Sequence, residues 1–190
     1  MFIDLRGDNV KYSQNKESVK LLLVRAYDDR QEASEKSLSY LGNLIVGNFN
    51  KHDVHVKDNV SLSEVLTEAV GRRMVQNGIS FSNYNRNRPV KAEIDYALKN
   101  SDINRILFIH INKFICETMV QVDIEWDISI RIEDRDGTVL AENESKGEKE
   151  INANVMKPGK TSEEVIPVVF EECIDSLVNA TFINIVKEHL

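Results

Sequence analysis

Few stretches of this 190-residue chain carry side chains able to do chemistry. Asp28-Asp29-Arg30 follows an apolar run, and strand ends in α/β sheets commonly present ligand-binding groups. A structural use competes with that one: an aspartate caps the turn and the arginine pairs with it. His52-Asp53-Val54-His55 sets two imidazoles three residues apart. On a helix they would share a face, but the setting is loop or strand, where they diverge, and no third ligand at metal-type spacing follows. His110 stands beside Phe108 and Ile109 and reads as a half-buried, hydrogen-bonded histidine rather than a general base. Asp123, Glu125 and Asp127 alternate along one strand face with cations available, which describes a solvated surface better than a carboxylate pair for catalysis. Tyr84, Arg86 and Arg88 in the polar stretch Ser82 to Arg88 form a basic-aromatic patch, too small for nucleic-acid binding. No serine or cysteine stands in an activating context, and neither nucleotide fingerprint is present. The expectation is therefore a chain without catalytic residues, metal or cofactor. Its candidate ligand or interaction residues are Asp28, Asp29, Arg30, Tyr84, Arg86 and Arg88.

The elements that must hold these residues are read from periodicity. Val122 to Glu133 alternates strictly: Val122, Ile124, Trp126, Ile128, Ile130 and Ile132 on one side, charged or polar residues on the other. A period of two means a strand with one dry and one wet face, hence an antiparallel sheet covered on one side. Arg105 to Glu117 precedes it as a long strand, and Asp136-Gly137 signals a hairpin after it. That turn sets Arg131 against Glu142 and Asp127 against Lys146 on the wet face. On the dry face it sets Ile132, Ile130 and Ile128 against Ala141, Asn143 and Ser145, small residues that leave room for a helix across the sheet.

Val19 to Ala26 reads as a strand buried on both faces. Ser61-Leu62-Ser63-Glu64 is a capping box, opening a helix that ends at Asn77-Gly78. Ile79 to Phe81 reads as a short strand, and Pro89 opens a second helix to about Asn100. A final helix runs from about Glu163 to Glu188 with Phe170, Ile174, Leu177, Thr181 and Ile185 as its stripe and Pro167 in its first turn. Met1 to Ser18 is an arm or weak edge strand, and residues 19–190 form one domain. Gln31 to Val60 is a long connection with short edge strands at Leu44-Ile45-Val46 and Val54-His55-Val56; connections this long often carry function. The fold class is α/β (α+β): a two-layer sandwich whose mixed sheet ends in an antiparallel meander under helices.

Composition narrows the classes. Net charge is −7, which disfavours nucleic acid or anionic lipid as a partner on average. Cys116 and Cys173 are far apart and in apolar contexts, so both read as buried small hydrophobes. No segment approaches ~18 consecutive apolar residues.

The order from Val19–Ala26 into Asp28 to Arg30, past Leu41-Gly42, through Val60–Met74 closing at Asn77-Gly78-Ile79, then the meander Arg105 to Glu148 and the helix Ser162 to Val186, resembles the YajG-type group of small bacterial envelope lipoproteins. The resemblance implies a non-enzymatic, periplasm-facing domain tethered by an N-terminal lipidated cysteine. This sequence departs there, with no lipobox and no cysteine before Cys116. The expectations are a periplasmic domain whose leader and anchor are removed, or otherwise a cytoplasmic protein. Its partners would be envelope proteins or further copies of itself, with membrane contact only through an anchor. A soluble small-ligand domain, with its site at Asp28, Asp29 and the 31–60 segment, is the alternative.

Because the dry face must meet the helices, Ile128→Asp and Trp126→Asp are each expected to unfold the domain. Truncating a core aromatic alone costs ~3–5 kcal/mol, against a typical total of ~5–15 kcal/mol. A thermal melt of Trp126→Asp indistinguishable from the parent would reverse the face assignment.

Overall fold

The computed structural model describes residues 1–6, 21–84, 91–99, 103–154 and 156–189. Its elements are β1 (Phe2–Ile3), β2 (Leu21–Val24), β3 (Tyr27–Asp28), α1 (Gln31–Glu35), β4 (Tyr40–Val46), β5 (Asn50–Val56), α2 (Leu62–Gln76), β6 (Phe81–Tyr84), α3 (Lys91–Lys99), β7 (Arg105–Thr118), β8 (Gln121–Asp134), β9 (Val139–Asn152), α4 (Pro158–Leu177) and α5 (Ala180–His189). Among the described residues, all nine strands belong to one mixed sheet.

Strand β7 organises this sheet. One edge pairs antiparallel with β8 along its length, from Arg105↔Asp134 to Thr118↔Val122. The opposite edge is shared in turn by β2 at Arg105–Leu107, β3 at His110–Ile111 and β4 at Cys116–Thr118, all parallel. The dry face of β8 is as the alternation requires: Val122, Ile124, Ile128, Ile130 and Ile132 are buried, while Trp126 is half-buried against the same core. The indole lies over Gly147, where a Cβ would come within 2.6 Å of it, and its Nε1 donates to Ser145 Oγ at 3.1 Å. A bulge at Asn112 shifts the phase of β7. Leu107, Ile109 and Ile111 face the core before it, and Phe114 and Cys116 face the core after it.

The β8–β9 register is the expected one, with Arg131↔Glu142, Asp127↔Lys146, Ile132↔Ala141, Ile130↔Asn143 and Ile128↔Ser145. The turn differs from a two-residue loop. Gly137 N donates to Asp134 O at 3.1 Å, Gly137 has φ +84°, and the register shifts by one residue beside Glu133. This is a type I turn closed by a left-handed glycine and a bulge. The small residues of β9 do admit helices, for both α4 and α5 lie against that strand. Asn143 goes further: its Nδ2 donates to the carbonyls of Ser176 (2.9 Å) and Leu177 (2.7 Å), satisfying the end of α4.

The single closing helix is in fact two. Asn179 breaks it, and its Oδ1 accepts from Phe182 N at 2.9 Å as the N-cap of α5. The break rotates the buried stripe to Phe182, Ile183 and Val186, leaving Thr181 exposed. Pro167 lies well inside α4 rather than in its first turn, because Pro158 takes the N-terminal position. The Gln31 to Val60 connection is not a loop: it is α1 and the hairpin β4–β5, whose strands run seven residues each. Strand β4 is internal, between β5 and β7. Phe2–Ile3 pair parallel with His55–Val56 as an edge strand, and β6 begins at Phe81, not Ile79. Pro89 lies outside the described residues. Ser61 caps α2 by accepting from Glu64 N at 3.2 Å, but the Glu64 carboxylate turns to Arg25 rather than back to the cap.

Strand β2 is buried on both faces, as its unbroken apolar run requires. Leu21 and Leu23 enter the main core under α2, α4 and α5. Leu22 and Val24 enter a second, smaller core with Ile94 and Leu98 of α3 and Ile106 and Phe108 of β7. The sandwich thus has a third layer at this end of the sheet.

Where β4 joins β7, Gly42 faces Cys116 with φ +146°, and a Cβ there would fall 1.7 Å from the Cys116 carbonyl oxygen. Gly42→Ala is therefore expected to cost more than about 4 kcal/mol, or to prevent folding. Circular dichroism melts measure it; a loss near the ~1 kcal/mol of ordinary backbone strain would mean that β4 does not seat on β7 this way.

Candidate functional site

The segment Tyr27 to Arg30 is extended, so its side chains alternate. Asp28 and Arg30 point inward and are 4 % and 3 % exposed. Tyr27 and Asp29 point outward, half-buried and exposed. One short sequence therefore builds two polar clusters on opposite sides of the sheet.

The inner cluster is an ion pair with a structural task. Arg30 donates from Nε to Asp28 Oδ1 and from Nη2 to Asp28 Oδ2, both at 2.8 Å. Its Nη1 donates to the carbonyls of Tyr40 (2.7 Å) and Phe114 (3.1 Å). These partners explain the arginine. Strand β3 leaves β7 at Ile111, where Asp29 N donates to Ile111 O at 3.0 Å, and β4 joins only at Cys116. The guanidinium fills the interval between them, supplying a donor where no strand does. A planar fork with five donors suits that place, and a lysine ammonium does not.

The outer cluster sits on the wet face. His110 Nδ1 donates to Asp29 Oδ2 at 3.1 Å, and its ring stacks on Tyr27 with centroids 5.1 Å apart and planes 12° from parallel. Burial raises the Tyr27 hydroxyl pKa above the ordinary range, against the pull of nearby Arg131. The carboxylate fixes the imidazole tautomer, leaving Nε2 as acceptor in the neutral ring. That atom is buried and meets no hydrogen-bonding group, so no hydroxyl stands ready to be activated, although Ser129 is its cross-strand neighbour. A shallow groove of about 490 Å³ runs beside it, lined by His110, Asn112, Ser129, Arg131, Glu142 and Glu144. The Arg131 guanidinium lies 5.4 Å from the centre of the Phe108 ring and pairs with Glu133 at 2.7 Å. Further along, Lys146 holds Asp127 below the usual carboxylate range through a 2.7 Å hydrogen bond.

The other candidates are scattered. Tyr84 pairs with Val24 at the sheet's opposite edge and packs against the second core. Arg86 and Arg88 lie outside the described residues. His52 and His55 lie on the edge hairpin, His55 near the hydroxyls of Ser37 and Ser39. Among the described residues no three metal-ligating side chains converge. Reading the sequence residue by residue missed Ser129, Arg131, Glu142 and Glu144 as neighbours of His110, although the hairpin register already placed Arg131 beside Glu142. Both cysteines are buried; desolvation pushes the Cys116 thiol up to about 11 and Cys173 up to about 12.

No family model and no curated protein matches this sequence. Solved structures do share its fold. Protein XCC0632 from Xanthomonas campestris, of family DUF330, superposes with a TM-score of 0.55 at 10 % identity, over 100 % of this chain and 97 % of that one. The hypothetical protein CT253 from Chlamydia trachomatis gives 0.51 at 6 % identity, over 87 % and 98 %. A minor lipoprotein from Acinetobacter baumannii gives 0.44 at 10 % identity, over 87 % and 94 %, too loose to argue from.

Arg30→Met should cost about 3–5 kcal/mol by stripping a buried carboxylate of its counter-charge. Asp28→Asn combined with Arg30→Met should cost less than the sum of the single changes; additive denaturation midpoints would remove the pair from its structural role. Both thiols should be inert to a disulfide reagent until the chain unfolds. Their folded pKa values exceed the unfolded value near 9, so the stability they contribute is whole below pH 9 and is lost as pH rises toward 11–12. Replacing both by alanine should flatten that alkaline decline in melting temperature.

Proposed function

We propose that this chain is a non-enzymatic interaction domain of the bacterial cell envelope, working on the periplasmic side. The observation that carries the reading is how the candidate chemical groups are used. Asp28 and Arg30 are spent on closing the sheet, and both thiols are sealed in the core. The long meander turns outward a fixed lattice of paired charges: Arg131–Glu133, Lys146–Asp127 and Lys113–Glu125. Such a face suits reversible recognition of a polar partner, where charge pairs set register and approach more than affinity. The envelope setting draws its support from the likeness in residue order to the YajG-type lipoproteins. That this chain shares the fold of bacterial proteins along nearly their whole length accords with it.

A second reading has its own observation. The Tyr27–Asp29–His110 cluster, with a buried imidazole nitrogen beside a polar groove, is a fitting place for a small polar ligand.

Fractionation of the source cell, with the gene expressed from its natural start, tests the first reading: recovery with the envelope is expected, and recovery only in the cytosol overturns it. A thermal-shift screen tests the second. A ligand at 100-fold over its Kd stabilises by ~2.7 kcal/mol, and a true occupant of the groove loses that shift in His110→Ala, measured against that variant's own unliganded melt.

A further inference from the structure

We infer that one end of the sheet is built to seat on a phospholipid bilayer, by contact of the folded domain itself. This goes beyond the interaction role proposed above and does not depend on it.

The end in question is where β7 turns into β8. Pairing of Leu44 with Thr118 carries the β4–β5 turn past it on one side. On the other, Ala153 N donates to Val120 O at 3.1 Å, bringing in the segment that leads from β9 to α4. A Cβ on Gly159 would touch Leu44, so the start of α4 closes the same end. Each of the three connections lifts apolar side chains into water: Phe49 is 75 % exposed, Met119 45 %, Val120 62 % and Met156 87 %.

Phe49 marks the end most clearly. It holds φ +62°, a left-handed backbone that a bulky residue avoids, with its N–H donating to Gly47 O at 2.8 Å. The chain thus meets two unfavourable terms at one position: a strained backbone, and an aromatic ring in solvent. Asparagine, which flanks it at 48 and 50, would relieve both. The three-residue loop between Val46 and Asn50 needs a left-handed residue at its end, but not a phenylalanine, and a bulky side chain kept there against that strain points to function.

A bilayer fits this end better than a protein does. A protein partner needs a continuous patch burying about 800 Å² per side, whereas these side chains are divided among three separate turns, Met119 and Val120 sharing one, with Asn48, Asn50 and Gln121 beside them. Isolated apolar tips enter the boundary between headgroups and acyl chains without a matching surface. Lys51, Lys157 and Lys160 are exposed beside the tips, placed to reach headgroup phosphates while their stems follow the apolar groups. Glu117 and Asp123 stand further back on the wet face, and Glu164 pairs with Lys160 at 3.6 Å. Attraction to anionic lipid should therefore be modest, and apolar insertion should lead.

Co-sedimentation of the purified chain with phosphatidylcholine vesicles, and with vesicles containing phosphatidylglycerol, tests this. Binding to both is expected, stronger to the second, with only that increment lost in high salt and in Lys51→Glu with Lys157→Glu. Phe49→Asp with Met156→Asp should weaken partitioning to both by roughly tenfold or more without changing the circular dichroism spectrum. Phe49→Asn should raise the melting temperature while weakening vesicle binding, a pairing that a merely structural phenylalanine would not give. Absence of sedimentation with either vesicle overturns the inference, as does binding untouched by the aspartate pair. So does a dimer in light scattering that Phe49→Asp abolishes while vesicles bind nothing, since the patch would then belong to a second copy.

Discussion

A fourteen-residue strand cannot leave its backbone donors and acceptors idle in the middle of a sheet. Strand β7 has one full-length partner and, on its other edge, only short ones: β2, β3 and β4 in succession. Between β3 and β4 the Arg30 guanidinium takes over, bonded to Phe114 and Tyr40 carbonyls and neutralised by Asp28. The position of β4 follows, and with it Gly42, whose missing side chain lets two backbones approach at Cys116. The hairpin β4–β5, its exposed tip and the docking of β1 all hang on that seam.

On the dry side the same strand helps make the bed for the helices. Continuous branched aliphatic side chains on β7 and β8 face small ones on β9, so α4 and α5 descend onto the meander. Three polar contacts tie elements together here: Thr118 with Ser162 at 2.8 Å, Trp126 with Ser145, and Asn143 with the last carbonyls of α4. Each joins sheet to helix or strand to strand, which fixes the angle of the layers as apolar contact alone does not.

On the wet side, function has more freedom. Residues there need only satisfy water and their cross-strand neighbours, so charge can be arranged for a partner without cost to the core. The Tyr27–Asp29–His110 cluster is the exception, since stacking and burial hold its imidazole in place. Its position follows from the alternation of Tyr27 to Arg30, which sends Asp28 and Arg30 to the seam and Tyr27 and Asp29 to the surface. The same four residues close the sheet through one face and build the Tyr27–Asp29–His110 surface cluster through the other.

Sequence alone determined whatever depends on neighbours close along the chain. The strict alternation of Val122 to Ile132 defined a two-faced strand, the charge pairs about the hairpin defined its register, and Ser61 and Asn77-Gly78 bounded α2. It also marked β2 as buried on both sides; the turn expected at Asp28-Asp29-Arg30 is instead extended chain, because β3 pairs with β7 there. Tertiary structure decided what depends on partners far away. Nothing local says that Arg30 completes a gap in β7, that the 31–60 segment is a hairpin with an internal strand, or that α3 covers a second core. The break at Asn179 is of the same kind: its apolar flanks suit one long helix, but Asn143 on the sheet takes the carbonyls that would continue it. The neighbours of His110 were likewise set by pairing across strands, because a side chain's chemistry is read from the sequence while its company is set by the fold.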